Sequence, residues 1–177
     1  MREILEKAAQ IRLVLFDVDG VLTDGTLFVG DNGEEYKAFY ARDGLGMVML
    51  QRSGIDVGII TARTSNVVKF RMESLKIKYV RQGQIEKLPA FEQICQEAGL
   101  AAEQVAYVGD DVIDLPVMQK VGLAIAVADA HPLVLGQAHW VTEKNGGHGA
   151  ARDVCELIMQ AQKTWDAQVQ QFMPVHH

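Results

Sequence analysis

The residues of this chain whose types and order point to chemistry are Asp17 and Asp19, Thr61, Lys87, and the trio Asp110, Asp111 and Asp114. The first pair ends the apolar run Ile11 to Phe16, which reads as a strand buried on both faces and stopping at two carboxylates and Gly20. Thr61 ends a second such run, Asp56 to Ile60, and Asp110 a third, Val105 to Gly109. Lys87 lies near the start of an amphipathic stretch that runs from about Ile85 to Ala98 and stops at Gly99. Each alone is ordinary: an Asp-Gly turn, a strand-end threonine, a solvated helix lysine. Two carboxylates about 4 Å apart, however, repel by roughly 4 kcal/mol at an effective dielectric near 20. If Asp17 and Asp110 converge, a hard dication with oxygen ligands, Mg2+, is the natural compensation. Such a centre could bind a phosphoryl group, with Thr61 and Lys87 on the remaining oxygens.

Convergence depends on the elements that carry these residues. Strands are read at 11–16, 56–61, 79–80, 105–109, 123–127 and 140–142, alternating with helices at 2–9, 43–54, 65–75, 85–98 and 150–162, with Asp110 to Asp114 opening another. Asp43 and Ser65 are read as helix N-caps. Strands alternating with helices imply right-handed crossovers and a doubly wound α/β fold, its sheet mostly parallel with helices on both faces. Parallel strands put their carboxyl ends on one edge, so residues a hundred positions apart meet there. Between Thr26 and Tyr40 two β-prone arms flank Asp31-Asn32-Gly33, a hairpin signal. Its arms carry apolar residues on both faces, more than a lone hairpin covers in water, so a neighbouring subunit is expected over it.

The 177 residues suit one domain spanning 1–177, with the hairpin at 26–40 and a flexible tail at 163–177 that ends in His176 and His177. A net charge of −6 argues against nucleic acid or anionic membrane as the main partner. No stretch reads as a signal peptide or membrane span, and the expected location is cytoplasmic. Cys95 and Cys155 are too few and too separate for a disulfide framework, and Cys95 is read as a buried small hydrophobe.

The motifs Asp17-Val18-Asp19-Gly20, Ile60-Thr61, Lys87 and Gly109-Asp110-Asp111-Val112-Ile113-Asp114, in this order, resemble those of the haloacid dehalogenase-like phosphatase superfamily. The resemblance implies that Asp17 attacks phosphorus to form an aspartyl-phosphate and that Asp19 protonates the leaving oxygen and then activates water. It implies metal ligation by Asp17, the backbone carbonyl of Asp19 and Asp110, with Asp111 and Asp114 in support. The spacings leave no room for a cap domain; the hairpin stands in its place.

Further stretches, Asp17 to Asp24, Tyr40-Ala41-Arg42-Asp43-Gly44, Ile60 to Arg63, Gln82 to Lys87 and Asn145 to Ala150, resemble the capless branch that acts on 3-deoxy-D-manno-octulosonate 8-phosphate. That branch implies a homotetramer joined through the hairpins and a role in making the sugar acid of bacterial lipopolysaccharide. It places Asp19, Tyr40, Ala41, Arg42, Asp43, Gly44, Arg63, Arg71 and Lys87 at the substrate, a phosphorylated sugar acid. Physically, an arginine fork suits the carboxylate of such a substrate, and Arg71, eight residues after Arg63, is expected to share its face. Residue types do not separate an eight-carbon from a nine-carbon sialic-type sugar acid. A phospho-accepting receiver-type module is the non-enzyme alternative, and Asp19 weighs against it, since a poised acid two residues from the nucleophile favours hydrolysis. His148 is assigned no role.

Overall fold

The computed structural model describes residues 1–173; the terminal histidines lie outside the described residues. Among the described residues the strands are β1 (Leu13–Phe16), β2 (Phe28–Val29), β3 (Glu35–Tyr36), β4 (Asp56–Ile60), β5 (Tyr79–Arg81), β6 (Val105–Gly109), β7 (Leu123–Ala126) and β8 (Trp140–Val141). Six of them form one sheet in the order β5-β4-β1-β6-β7-β8 with every pairing parallel, and β2 and β3 form a separate antiparallel hairpin. The helices are α1 (Arg2–Gln10), α2 (Ala41–Arg52), α3 (Asn66–Ser74), α4 (Lys87–Ala98), α5 (Leu115–Met118), α6 (Pro132–Gln137), α7 (Ala150–Ala161) and α8 (Trp165–Gln170), and 3-10 turns precede β6 and α5.

The central strands are wholly apolar because both faces are covered: Leu13, Val14, Leu15 and Phe16 are all fully buried, as are Leu123 to Ala126. From β1 the chain steps one way, through α2 to β4 and α3 to β5; it then crosses to β6 and steps the other way. Right-handed connections therefore put α2 and α3 on one face, joined by α1 and α7, and α4, α5 and α6 on the other. The reversal lies between β1 and β6, the topological switch point where ligands gather in open α/β sheets. Phe16 is in register with Ile59 on one side and Val108 on the other. Asp17, Thr61 and Asp110 thus leave the sheet at nearly one level.

Several expectations change. Asp43 does not cap α2, which already begins at Ala41 with Tyr40 as N-cap; instead the buried Asp43 side chain accepts a hydrogen bond from the Arg152 amide (2.9 Å) and caps α7 from across the fold. The helix starts without a side-chain cap because the apolar face at Met47, Met49 and Leu50 drives α2 onto the core. Ser65 does occupy the N-cap position of α3, but its hydroxyl makes no cap bond; its amide is held by Gln82 (2.8 Å). The stretch expected to be a flexible tail carries α8, whose Trp165 and Val169 pack on the core and whose Gln168 is buried. α6 also lies in a stretch for which no helix was expected, with His131 as cap and Pro132 at its first position. Both cysteines are free, and Cys95 is half-buried rather than buried.

Candidate active site

Asp17 follows β1 directly, with its amide bonded to the Val108 carbonyl (3.0 Å) and its carboxylate Oδ1 accepting from the Val18 amide (2.7 Å). Its partner is Lys87 Nζ at 2.9 Å. Lys87 is the first residue of α4, where a cation opposes the helix dipole, so its place there does not serve helix stability. It is 1% exposed, and two carboxylates hold it: Asp17 and, at 2.7 Å, Asp114. Their attraction outweighs burial and keeps the ammonium charged.

Asp114 is fully buried and fully used. Oδ1 takes Lys87 and the Tyr107 hydroxyl (2.6 Å), and Oδ2 takes the amides of Asp110 (2.9 Å) and Asp111 (3.2 Å). It therefore sets the turn that presents Asp110, a supporting role rather than a ligand's. Tyr107 completes this network, although an aromatic inside an apolar strand gave no sign of it beyond the rule that a buried phenol finds a partner. Burial pushes the Tyr107 hydroxyl well above its usual range, with the Asp114 charge adding to it, so it stays a proton donor.

One carboxylate oxygen each from Asp17, Asp110 and Asp114 lie within 4.8 Å of one another. Burial raises both Asp17 and Asp110, and the mutual repulsion of the carboxylates raises them further, against the pull of Lys87 on Asp17. Asp110 Oδ1 is buried with no hydrogen-bond partner. A buried, partnerless carboxylate oxygen beside a second carboxylate fits a Mg2+ ligand pair. Gly20 makes the close approach possible: at its φ of 90° a Cβ would overlap the Asp110 carboxylate.

The loop from Asp17 to Asp24 is backed by Asn145 to Gly149. The Gly147 amide bonds the Val21 carbonyl (2.9 Å), Gly146 lies against Gly20, and a Cβ on Gly147 would overlap the backbone of Thr23 and Asp24. His148 is exposed and sits edge-on to Tyr40, with ring centroids 6.4 Å apart. The glycines of this segment thus buttress the catalytic loop.

Asp17, Asp19, Thr61, Ala62, Arg63, Asp110, Asp111 and Ile113 line one cleft of about 170 Å³. That is below the roughly 300–1,000 Å³ of pockets that enclose a small molecule, so it suits a phosphoryl group with the rest of the substrate over its mouth. A larger groove between α2 and α3, lined by Val48, Gln51, Arg52, Ser74, Leu75 and Lys76, has no converging carboxylates.

Arg63 lies at the cleft, half exposed, but Arg71 does not join it. Eight residues mean two helical turns only if both lie on one helix, and α3 begins at Asn66, after Arg63. Arg71 instead faces α2, its guanidinium against Gly44 and 5.8 Å from the Phe39 ring, with Nε buried and unpartnered. Tyr40, Ala41, Arg42, Asp43 and Gly44 form the cap and first turn of α2; none lines the cleft, and Asp43 and Gly44 are buried in packing. Two residues of the hairpin that sequence reasoning passed over are at the site: Lys37 bonds Asp19 (2.5 Å) and Glu35 (3.1 Å), and Glu35 bonds Arg63 (2.9 Å).

The family model of the haloacid dehalogenase-like hydrolases matches residues 60–153. The 3-deoxy-D-manno-octulosonate 8-phosphate phosphatase of Escherichia coli K12 is 51% identical over 164 residues, covering 93% of this chain and 87% of the relative. The crystal structure of the enzyme of that name from Yersinia pestis is 49% identical, with a TM-score of 0.92 over 93% of this chain and 89% of its own. That from Moraxella catarrhalis, in complex with magnesium ion, phosphate ion and a KDO molecule, is 41% identical with a TM-score of 0.95 over 98% and 99%. With its four motifs placed on one sheet edge in the same fold, the chain belongs to the haloacid dehalogenase-like hydrolase family.

Proposed function

We infer that the chain is a magnesium-dependent phosphatase that hydrolyses 3-deoxy-D-manno-octulosonate 8-phosphate to the free sugar acid and phosphate. The observation that carries this is the pairing of Asp17, backed by Lys87, with the partnerless Asp110 at the switch point of a chain 51% identical to an enzyme of that name. Asp17, the backbone carbonyl of Asp19 and Asp110 would hold Mg2+, which supplies positive charge against the phosphoryl oxygens and lets an anionic nucleophile approach them.

Lys87 favours the ionised form of Asp17 and fixes its Oδ1, leaving the other oxygen free to attack phosphorus. The new Asp17–phosphorus bond forms as the bond to the sugar oxygen breaks, and Asp19 gives that oxygen a proton. Asp19 then takes a proton from water, whose oxygen attacks the aspartyl-phosphate; phosphate leaves and Asp17 is restored. Thr61 lines the phosphoryl cleft, and Arg63 reaches over its mouth, where its free N–H groups offer a fork to the substrate carboxylate. Arg71 and Tyr40 to Gly44 do not line the cleft of this chain, and no step here is assigned to them.

The hairpin exposes Leu27, Phe28, Val29 and Tyr36, each 44–64% accessible, which supports assembly of copies through this element into a homotetramer. Among the described residues no helix is long and apolar enough to cross a membrane, and a cytoplasmic place of action is proposed with the substrate. The test is phosphate release from a panel of sugar phosphates with Mg2+ and with chelator. Strong preference for the eight-carbon 8-phosphate, lost on chelation, is expected; preference for a nine-carbon 9-phosphate would move the substrate, and no release from any would reject the enzyme.

A further inference from the structure

The hairpin does more than present an apolar surface. Glu35 and Lys37 are two residues apart on an extended segment, so their side chains share a face, while Tyr36 between them points away and is 62% exposed. That shared face meets the catalytic loop. The Lys37 side chain is 1% exposed, though its partners Asp19 and Glu35 are 20% and 15% exposed and Arg63 beyond them 47%. An unbroken chain of charge runs Asp19, Lys37, Glu35, Arg63, from the acid–base to the arginine over the cleft. Burying an ammonium is costly, and an apolar residue would dock a hairpin at lower cost. Lysine is useful here because its three donors can hold two carboxylates at once. Lys87 cannot serve Asp19, since Asp17, Asp114 and Tyr107 take it.

We propose, resting on the phosphatase reading above, that Lys37 is the positioning residue for Asp19 and Glu35 that for Arg63, so the hairpin aligns acid–base and substrate-carboxylate contacts together. Lys37 holds Asp19 through Oδ1 and leaves Oδ2 to face the leaving oxygen and then the water. Glu35 uses one guanidinium nitrogen of Arg63, which leaves the rest of the fork for the substrate. Neither hairpin residue touches the reacting atoms.

The test compares the wild-type protein, Lys37→Met and Glu35→Gln, all with Mg2+, on two substrates. The sugar 8-phosphate has an alkoxide leaving group that needs a proton; p-nitrophenyl phosphate has one that does not. For Lys37→Met, kcat on the sugar phosphate should fall about 100-fold with KM within about threefold, the size of a lost general acid. Its first-turnover release of nitrophenolate should fall less than about tenfold. For Glu35→Gln the split reverses: KM for the sugar phosphate rises about tenfold and kcat changes little. If Lys37→Met does not fold by circular dichroism, Lys37→Gln is measured in its place. Equal losses on both substrates, or an unchanged kcat, would mean that Lys37 only docks the hairpin and would overturn the proposal. A wild-type protein active on p-nitrophenyl phosphate with unaffected variants refutes the positioning roles alone; one inactive on both refutes the phosphatase reading and these roles with it.

Discussion

Replacing Asp43 by asparagine should change how stability depends on pH while leaving the fold in place. The Asp43 side chain lies under the first turn of α7, where Oδ1 accepts from Arg152 and Oδ2 is buried without a partner. Burial pushes the carboxyl up to about 6 from 3.8, against the help of the Arg152 and Gly149 amides. A carboxyl whose pKa is higher folded than unfolded binds more protons in the folded state, so its contribution is fully present below the unfolded pKa and is lost as pH rises through the folded one. The shift corresponds to about 3 kcal/mol in all, of which about 2 kcal/mol should develop between pH values of about 4.5 and 7.5. The substituted asparagine cannot ionise and keeps an acceptor for Arg152, but it buries an amide N–H2 that costs about 1–3 kcal/mol and does not vary with pH. Urea unfolding followed by circular dichroism across that range should therefore show the variant markedly less stable than wild type at the acid end and nearly level with it at the neutral end. A difference that stays constant across the range would refute the assignment of a strained, ionised carboxylate under α7.

Lys87→Met should abolish turnover and also cost about 3–5 kcal/mol, read as a fall in the urea midpoint, because it strands Asp17 and Asp114 in the interior. Gly147→Ala should cost about 2–4 kcal/mol and lower kcat, since the left-handed φ of 72° and the overlap with Thr23 and Asp24 both penalise a Cβ and the strain falls on the loop carrying Asp17 and Asp19. Phe28→Asp on the exposed hairpin should reduce the assembly mass measured by light scattering; an unchanged mass would remove the hairpin from the interface.

The fold was legible where one segment carried its own instruction. Leu13 to Phe16, Asp56 to Ile60 and Val105 to Gly109 are central strands covered on both faces, and apolar runs ending in polar residues announce both the strand and the edge it serves. Lys87, Asp17, Thr61 and Asp110 were legible for the same reason, each sitting where an element begins or ends. What escaped was set by contacts distant in sequence. Asp43 has an N-cap's residue type, but the helix it caps starts 107 positions later, at Ala150. Lys37 and Glu35 have no local signal, because their partners are met only when the hairpin folds onto the catalytic loop. Arg71 was misplaced by counting helical turns across a helix start. α8 has little local signal, since one buried polar residue and two apolar contacts hold a six-residue helix that would be marginal alone.

The claim on which the rest depends is that Asp17 itself carries the phosphoryl group. The direct measurement is an acid quench of a single turnover with 32P-labelled sugar 8-phosphate and Mg2+, followed by proteolysis and location of the label. The expected result is an acid-stable, base-labile phosphate on the peptide containing Asp17, absent with chelator and absent from Asp17→Asn. Phosphate release without any labelled peptide, or with full activity in Asp17→Asn, would contradict it.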